Sequence, residues 1–414
     1  MKFTPELRHQ ILVRGVSEII VESELVDLLQ SGRPLTLKMG FDPSAPDLHL
    51  GHSVGLRKLR QLQDIGHKVV VIVGDWTAQI GDPSGKSSTR PMLTSEQVKF
   101  NAETYLKQFF KVVDKDKTEV RLQSDWFGPF GLADVINLTR HFTVAQFLAR
   151  DDFEKRFSDN QPIAITELLY PLLQAYDSVA IKSDIEFGGT DQKFNLLVGR
   201  DLQKIMGQNP QQCFLMPILV GTDGKRRMGK SLGNYIGLEE SPNDMYGKIM
   251  SLPDISSTMD PDFDEGSKKD RFTVIDYFNY LTDISEKEIA NMDHDIRNGM
   301  VNPMELKKML ARVLVTQFHD KKSAELSEIH FEQTIQQRKL PEDIPTFILD
   351  ANLVRLSDFI VESGLAQSSS EARRLIDQGA VRINDKHVRE NITTSLLKSG
   401  DIIRIGKRRF IQIG

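Results

Sequence analysis

The sequence predicts an α/β fold: a doubly wound parallel sheet with N-terminal helices, then an α-helical domain and a small α+β domain. Three observations carry this. A strand–helix–strand crossover stands near the start, with a strand over residues 34–40, a helix over about 51–65 and the apolar run Val69-Val70-Val71-Ile72-Val73. That succession is the unit of a doubly wound sheet. From about Pro242 the pattern turns to helical periodicity with charged outer faces. From about Val354 it changes again, to two short helices and several short strands.

Taken in order, residues 1–32 read as helical, with Glu18-Ile19-Ile20-Val21 and Leu25-Val26-Asp27-Leu28-Leu29 supplying an apolar stripe. The 69–73 run reads as a buried parallel strand. Residues 120–122 and 214–219 look like further strands, and 128–176 is mostly helical. Ligands of such sheets bind at the carboxyl ends of the strands, where residues 40–52 and 74–86 fall. Segments 243–251, 274–282, 287–297 and 303–318 read as a helical domain without strands. A linker with Pro341 and Pro345 follows, then helices over 356–363 and 369–378 and strands near 381–383, 402–405 and 409–413. The expected domains are 1–241, 242–340 and 354–414, with 341–353 as linker.

At 414 residues there is ample length for a sizeable core in each domain. The formal net charge of −5 gives no global avidity for nucleic acid, so any RNA contact is local. From residue 351 to the end, however, 11 Lys or Arg stand against 7 acidic residues, which leaves +4 there and −9 on the remainder. A basic tail on an acidic body is an electrostatic footprint for RNA. The single cysteine, Cys213, excludes an internal disulfide and a multi-cysteine zinc site, and suits a reducing cytosol. The N-terminus has no apolar signal core and the 69–73 run is far too short to span a bilayer, so no membrane role is expected.

Two motifs about 175 residues apart hold the chemistry. The first runs Gly40-Phe41-Asp42-Pro43-Ser44-Ala45-Pro46-Asp47-Leu48-His49-Leu50-Gly51-His52; the second runs Gly224-Lys225-Arg226-Arg227-Met228-Gly229-Lys230-Ser231-Leu232-Gly233-Asn234. His49 and His52 are three apart and share a face at the first turn of a helix, whose N-terminus favours phosphate. Gly51 between them lets a ligand approach the backbone. Arg227 and Lys230 sit in a Gly-rich segment that can fold over a triphosphate. Alone, the first motif reads as a capping or core histidine pair and the second as a solvated basic loop. Two further motifs lie between them. In Tyr170-Pro171-Leu172-Leu173-Gln174-Ala175-Tyr176-Asp177, the phenol, amide and carboxylate of Tyr170, Gln174 and Asp177 fall on one helix face. Phe187-Gly188-Gly189-Thr190-Asp191-Gln192 reads as a Gly-rich turn opening a helix, with Thr190 or Asp191 as cap. The stretch Gly81-Asp82-Pro83-Ser84-Gly85-Lys86-Ser87 is not a P-loop: its glycines enclose three residues instead of four, and Pro83 removes a donor from the cradle.

The first two motifs resemble the HIGH and KMSKS signatures of the class I aminoacyl-tRNA synthetases, and the whole chain resembles the bacterial tyrosyl-tRNA synthetases. The resemblance implies a Rossmann-like catalytic domain (1–241), a helical anticodon-binding domain (242–340) and a C-terminal domain like that of a ribosomal small-subunit protein. It implies a tyrosine–tRNA ligase that makes tyrosyl-adenylate from L-tyrosine and ATP, with Mg²⁺ accompanying ATP and no metal held by protein alone, then charges tRNA(Tyr). A cytoplasmic homodimer is implied as well. In such an enzyme, residues matching Tyr170, Gln174 and Asp82 hold the tyrosine ammonium and the residue matching Asp177 accepts the phenolic hydroxyl. Asp42, Asp191 and Gln192 match residues lining the carboxylate and ribose region, and Thr77 matches one at the pocket wall. Ser44, His49, Gly51, His52, Asp191 and Lys230 match ATP contacts. Lys86, Arg90, Arg227 and Lys230 match cations on pyrophosphate. Arg373, Arg374, Arg382, Lys407 and Arg408 are the RNA-binding candidates of the tail. Two departures stand out. Lys38 occupies a position where many members carry a tyrosine that gives the substrate hydroxyl a second partner, and Arg227 and Gly229 replace the lysine and serine of the second signature. The alternatives are a tryptophan-specific sister enzyme and an RNA-binding protein on a scaffold that has lost catalysis.

Overall fold

The computed structural model describes residues 4–43, 47–83, 94–257, 271–336, 344–348, 355–384, 386–406 and 409–414. The chain divides into two units, Met1–Ala324 and Glu325–Gly414.

In the first unit the strands β1 (Glu18–Ile20), β2 (Thr36–Phe41), β3 (Lys68–Val73), β4 (Thr118–Leu122), β5 (Ile185–Gly189) and β6 (Gln212–Met216) form one sheet. Its order is β1-β6-β5-β2-β3-β4. The five strands β2 to β6 are parallel, and β1 runs antiparallel to β6 at the edge. β3 reads Lys-Val-Val-Val-Ile-Val and buries all but its first residue, as a strand covered on both faces must. The chain winds from β2 through the Leu50–Asp64 helix to β3 and on to β4, then returns to place β5 on the other side of β2. The winding therefore reverses between β2 and β5, and a crevice opens there beyond their carboxyl ends, Phe41 and Gly189.

Residues 1–32 do not form helix throughout. Pro5–Leu12 and Glu22–Gln30 are helical, but Glu18–Ile20 is a strand that pairs Ile19 with Phe214 and Ile20 with Cys213. The side chains of Ile19 and Ile20 branch at Cβ, which suits a pleated edge. Three residues are too few for any periodicity to declare itself. Phe187-Gly188-Gly189 is likewise the end of β5 and not a turn. A Cβ at Gly188 would lie 2.9 Å from Gln192 Cβ and 3.1 Å from Leu196, so glycine here lets the following helix, Lys193–Ile205, pack close to the strand. That helix has no side-chain cap: Thr190–Gln192 forms a 3₁₀ turn instead. Beyond residue 242 the expected helices form, Pro242–Met250, Thr273–Leu281, Glu286–Arg297 and Pro303–Phe318. They are accompanied by one two-residue antiparallel pair, β7 (Ile255–Ser256) with β8 (Arg271–Phe272), so this region is not free of strands.

The helix Ile165–Ile181 is tied to β2 by Lys38, which donates to its Gln174 main-chain carbonyl, and bears the Tyr–Gln–Asp face. Its first turn is tied down by buried Glu167, which accepts from the Ala164 N–H at 3.0 Å and pairs with Arg156 at 2.5 Å.

In the second unit β9 (Thr346–Phe347), β10 (Val381–Ile383), β11 (Lys386–Val388), β12 (Ile402–Ile405) and β13 (Arg409–Ile413) make a sheet of order β11-β10-β12-β13-β9. Ile403, Ile405, Ile411 and Ile413 point inward at period two and meet Leu356, Phe359 and Ile360 of one helix and Ala372 and Ile376 of the next. β9 lies inside the stretch expected as linker. Phe347 packs edge-on against Phe359, with ring centroids 5.4 Å apart, and so anchors the strand.

Candidate active site

At the phosphate end, His49 ends the loop after β2 and is the N-cap of the Leu50–Asp64 helix. Its backbone N–H donates to His52 Nδ1 at 3.2 Å, and the two rings lie tilted at 46° with centroids 3.9 Å apart. With Nδ1 accepting, the proton of His52 sits on Nε2, 3.2 Å from the Tyr105 hydroxyl. Burial, with the Lys230 charge beside it, pushes the His52 pKa down to about 4, and the same causes together with His52 hold His49 well below the usual imidazole range. Both imidazoles are therefore neutral donors at pH 7. His49 Nδ1 is buried with no protein partner among the described residues. Lys230 opens a short 3₁₀ turn, its Nζ 5.5 Å from the Tyr105 ring centroid, and burial lowers its pKa to about 8.

The loop that delivers Lys230 is pinned by one buried amide. Asn234 accepts from the Gly229 N–H at 2.9 Å and donates to Asp223 and to the Arg227 carbonyl, both at 3.0 Å. A Cβ at Gly221 would come within 2.2 Å of that amide, so the close approach requires glycine. Arg227 reaches across to Asp191 at 3.0 Å, and the Leu50 N–H donates to the Ile236 carbonyl at 2.9 Å. The second motif thus docks onto the helix start of the first.

At the other end, Asp42, just past β2, accepts from the Tyr170 hydroxyl at 2.9 Å and from Thr77 Oγ1 at 2.6 Å. A Cβ at Gly74 would lie 2.2 Å from Thr77 Oγ1 and 2.4 Å from Asp42, which is why the turn after β3 must be glycine. The Thr77 N–H donates to Gln123 at 3.0 Å, and the other end of that amide donates to Asp177 at 2.8 Å. The second carboxylate oxygen of Asp177 accepts from the Trp126 indole at 3.1 Å. Burial pushes the Asp177 pKa up to about 7, against the Lys38 charge and the Gln123 bond, which pull it down. Asp82 accepts from Gln192 at 2.7 Å, and Gln174 donates to Glu186 at 3.0 Å.

The structure gathers the expected residues. A cleft of about 500 Å³ is lined by Asp42, Thr77, Asp82, Tyr170, Gln174, Asp177, Asp191 and Gln192 at one end and by His49, His52, Arg227 and Lys230 at the other. An adjoining cavity of about 540 Å³ shares the two histidines, Asp191 and Arg227 and adds Gly51, the segment after β6 and Met228. Ser44, Lys86, Arg90, Lys407 and Arg408 lie outside the described residues. Arg373 and Arg374 are exposed on the Ser369–Asp377 helix, and Arg382 is half-buried on β10. Lys38 does not line the cleft; it is wholly buried behind it.

Sequence reasoning missed Gln123 and Trp126, the two groups that hold Asp177, as well as Tyr105 and Asn234. Gln123 directly follows β4, and a polar residue at the carboxyl end of a strand was a usable signal. Nothing in the helix Ser95–Phe109 distinguishes Tyr105 from a core residue until the fold stacks it on Phe41, at 4.4 Å, and under Lys230. Among the described residues no cluster of three metal-ligating side chains occurs, and no helix is long and apolar enough to cross a membrane.

Residues 30–319 match the family model of class I tRNA synthetases of the tryptophan and tyrosine type, and residues 354–393 match the S4 domain. The chain is 58% identical to a tyrosine–tRNA ligase of Dehalococcoides mccartyi strain CBDB1 over 97% of each chain. It is 46% identical to one from Thermotoga maritima, over 99% of this chain and 98% of that one. In fold it is similar to a tyrosyl-tRNA synthetase of Archaeoglobus fulgidus solved with L-tyrosine, with a TM-score of 0.61 at 23% identity over 79% of this chain and all of that one.

Proposed function

The chain belongs to the class I tRNA synthetases of the tryptophan and tyrosine type, and from that premise we propose which of its residues do the work. Its activity is that of a tyrosine–tRNA ligase: L-tyrosine and ATP give tyrosyl-adenylate and pyrophosphate, and tyrosyl then passes to the 3′ end of tRNA(Tyr). The observation that supports the residue assignment is the polarity of the cleft. A buried carboxylate, Asp177, stands at one end, and two neutral imidazoles with a lysine stand at the other.

Asp177, fixed by Gln123 and Trp126, accepts the phenolic hydroxyl. Tyr170, Gln174 and Asp82 receive the ammonium, and Thr77 backs the pocket through Asp42. Asp42, Asp191 and Gln192 border the carboxylate and ribose. The substrate carboxylate then attacks the α-phosphorus, its new P–O bond forming as the bond to pyrophosphate breaks. His49, His52, Arg227 and Lys230 meet the charge that develops on the phosphoryl oxygens and leaving group, with Gly51 giving backbone access; Ser44, Lys86 and Arg90 complete the set. Mg²⁺ would accompany ATP as part of the substrate and would offset charge on its phosphates. In the second step a ribose hydroxyl of the tRNA attacks the tyrosyl carbonyl and AMP leaves.

Residues 242–340 serve as the anticodon-binding domain and 354–414, beyond the 341–353 connection, as the RNA-binding tail, through Arg373, Arg374, Arg382, Lys407 and Arg408. The enzyme works in the cytoplasm as a homodimer. Exposed Leu132, Ile136, Val144, Phe157 and Ile165, each at least 57% accessible within one stretch of chain, support a second copy as the partner. Amino-acid-dependent ATP–pyrophosphate exchange tests the catalytic reading: exchange with tyrosine alone is expected. Exchange with tryptophan, or none with tRNA binding intact, would overturn it in favour of the sister specificity or the inactive scaffold.

A further inference from the structure

Behind the cleft lies a charged pair that takes no part in the chemistry proposed above. Lys38 of β2 and Glu186 of β5 are neighbours in register across the point where the sheet reverses its winding. They are 0% and 1% exposed. Lys38 Nζ donates to the main-chain carbonyl of Gln174 at 2.7 Å and to Ser178 Oγ at 2.7 Å, and reaches Glu186 Oε1 at 2.9 Å. An ammonium has three donors, and all three are used here. Glu186 accepts in turn from Gln174 Nε2 at 3.0 Å, from Ser178 Oγ at 3.2 Å and from the Gln211 amide. The pair therefore grips two residues, one turn apart, of the helix that lines the substrate cleft.

We propose that Lys38 and Glu186 are positioning residues of the amino-acid pocket, which lock the Gln174 amide with its oxygen toward the substrate ammonium. A carboxylate only accepts, so the nitrogen of the Gln174 amide must face Glu186. That leaves the carbonyl oxygen as the terminus available to the cleft that Gln174 lines. With Lys38 removed as well, a neutral amide at position 186 would accept or donate equally well and would let Gln174 flip, presenting N–H to a cation; with Lys38 in place, its ammonium requires the oxygen that Gln174 shares. The acceptor oxygen that Lys38 and Glu186 together keep facing Gln174 is thus what fixes its polarity, and Lys38 also makes the buried carboxylate tolerable. Stability does not explain the pair, because a buried ion pair is commonly no more stabilising than apolar residues of the same volume.

The inference rests on the assignment of Gln174 to the ammonium, and the test separates the two. Binding to the full chain is measured for L-tyrosine, for tyramine, which keeps the ammonium, and for 3-(4-hydroxyphenyl)propionate, which lacks it. The variants are Glu186→Gln and the charge-neutral double Lys38→Met with Glu186→Gln, which leaves no unpaired buried charge should the single change impair folding. The double variant should weaken tyrosine and tyramine about tenfold, the loss of one hydrogen bond to a charged group, and leave the propionate within about twofold, whereas Glu186→Gln alone, in which Lys38 still holds the amide oxygen toward Gln174, should lose less. Equal loss for all three ligands in the folded double variant would reduce the pair to a structural role and overturn the proposal. So would unchanged tyramine binding in the double variant when Gln174→Ala weakens it. If Gln174→Ala itself spares tyramine, the ammonium assignment falls, and the proposal with it.

Discussion

The two ends of the cleft are built in opposite ways. At the amino-acid end the binding groups reach one another across the fold: Asp42 to Tyr170, Thr77 through Gln123 to Asp177, and Gln192 to Asp82. At the phosphate end they are local: His49 with His52 on one helical turn, and Lys230 on a loop held by Asn234 four residues on. The first end has most of its polar atoms paired before a ligand arrives, with the side-chain oxygen of Gln174 left for the ligand. The second keeps neutral imidazoles, a lysine of lowered pKa and a His49 Nδ1 with no protein partner among the described residues. A largely paired, rigid end suits recognition of a ground state. An end that holds donors in reserve suits charge that appears only in the transition state.

The contrast breaks most visibly at Asp177. A site that hydrogen-bonds a hydroxyl rejects the analogue lacking it by about 10⁴–10⁵, a general magnitude for which the tyrosine enzymes themselves are the standing example and not a value derived from this chain. Asp177→Ala should remove most of that selectivity, costing tyrosine far more than phenylalanine in kcat/KM for adenylate formation. Selectivity that survives the change would assign the hydroxyl to another group, with Gln123 the next to test.

At the opposite end, His52→Ala or Lys230→Ala should slow adenylate formation by about 10²–10³ while tyrosine affinity stays within about twofold. Pre-steady-state formation of adenylate and equilibrium tyrosine binding report the two quantities separately. A fall in affinity as large as the fall in rate would merge the two ends into one. Neither end should depend on the tail: removing residues 351–414 should cut tRNA charging at least ~10²-fold, weaken the salt dependence of tRNA binding and leave pyrophosphate exchange nearly intact. Loss of exchange in a folded truncation would place a catalytic contact beyond residue 350.

The same division explains what the sequence disclosed. The phosphate end was legible because its spacing is local: His49 and His52 one turn apart, and Lys230 inside a Gly-rich loop. The amino-acid end was legible only along the Ile165–Ile181 helix, where four and three residues separate Tyr170, Gln174 and Asp177. Gln123, Trp126, Tyr105 and Glu186 enter through strand order and packing, which no spacing in the chain encodes. In the fold, long periodic elements such as β3 and the Pro303–Phe318 helix were read directly. The two- and three-residue strands β1, β7, β8, β9 and β11 were not, although the equally short β10 was, since so few residues carry no periodicity and owe their conformation to the strand they pair with.

The smallest expected effect is one of pH. Burial raises Asp177 from the ordinary carboxylate range to about 7 in the ligand-free protein, so below that value the carboxyl carries a proton and cannot accept the phenol as a carboxylate. Tyrosine affinity should then rise about tenfold per pH unit up to roughly pH 7 and level off above it. The sign for stability is the reverse. A carboxyl whose pKa is raised on folding contributes stability that is complete below the unfolded value and is lost as pH rises through about 7. His52, lowered to about 4, contributes stability present above the unfolded imidazole value and lost as pH falls through about 4. Tyrosine binding followed by calorimetry from pH 5.5 to 7.5 follows Asp177, whose midpoint lies well above that of His52, at about 4, and below that of Lys230, at about 8. Lys38 holds the Asp177 pKa down and Glu186 holds it up. Lys38→Met should therefore move the midpoint of the profile to higher pH, and Glu186→Gln should move it lower. Lys38→Ala should then change the tyrosine-to-phenylalanine ratio little at high pH, where Asp177 is ionised with or without the lysine, and lower it near neutrality. A midpoint that ignores both substitutions would show that the buried pair does not reach the hydroxyl-reading carboxylate, and that the amino-acid end of the cleft is two independent networks.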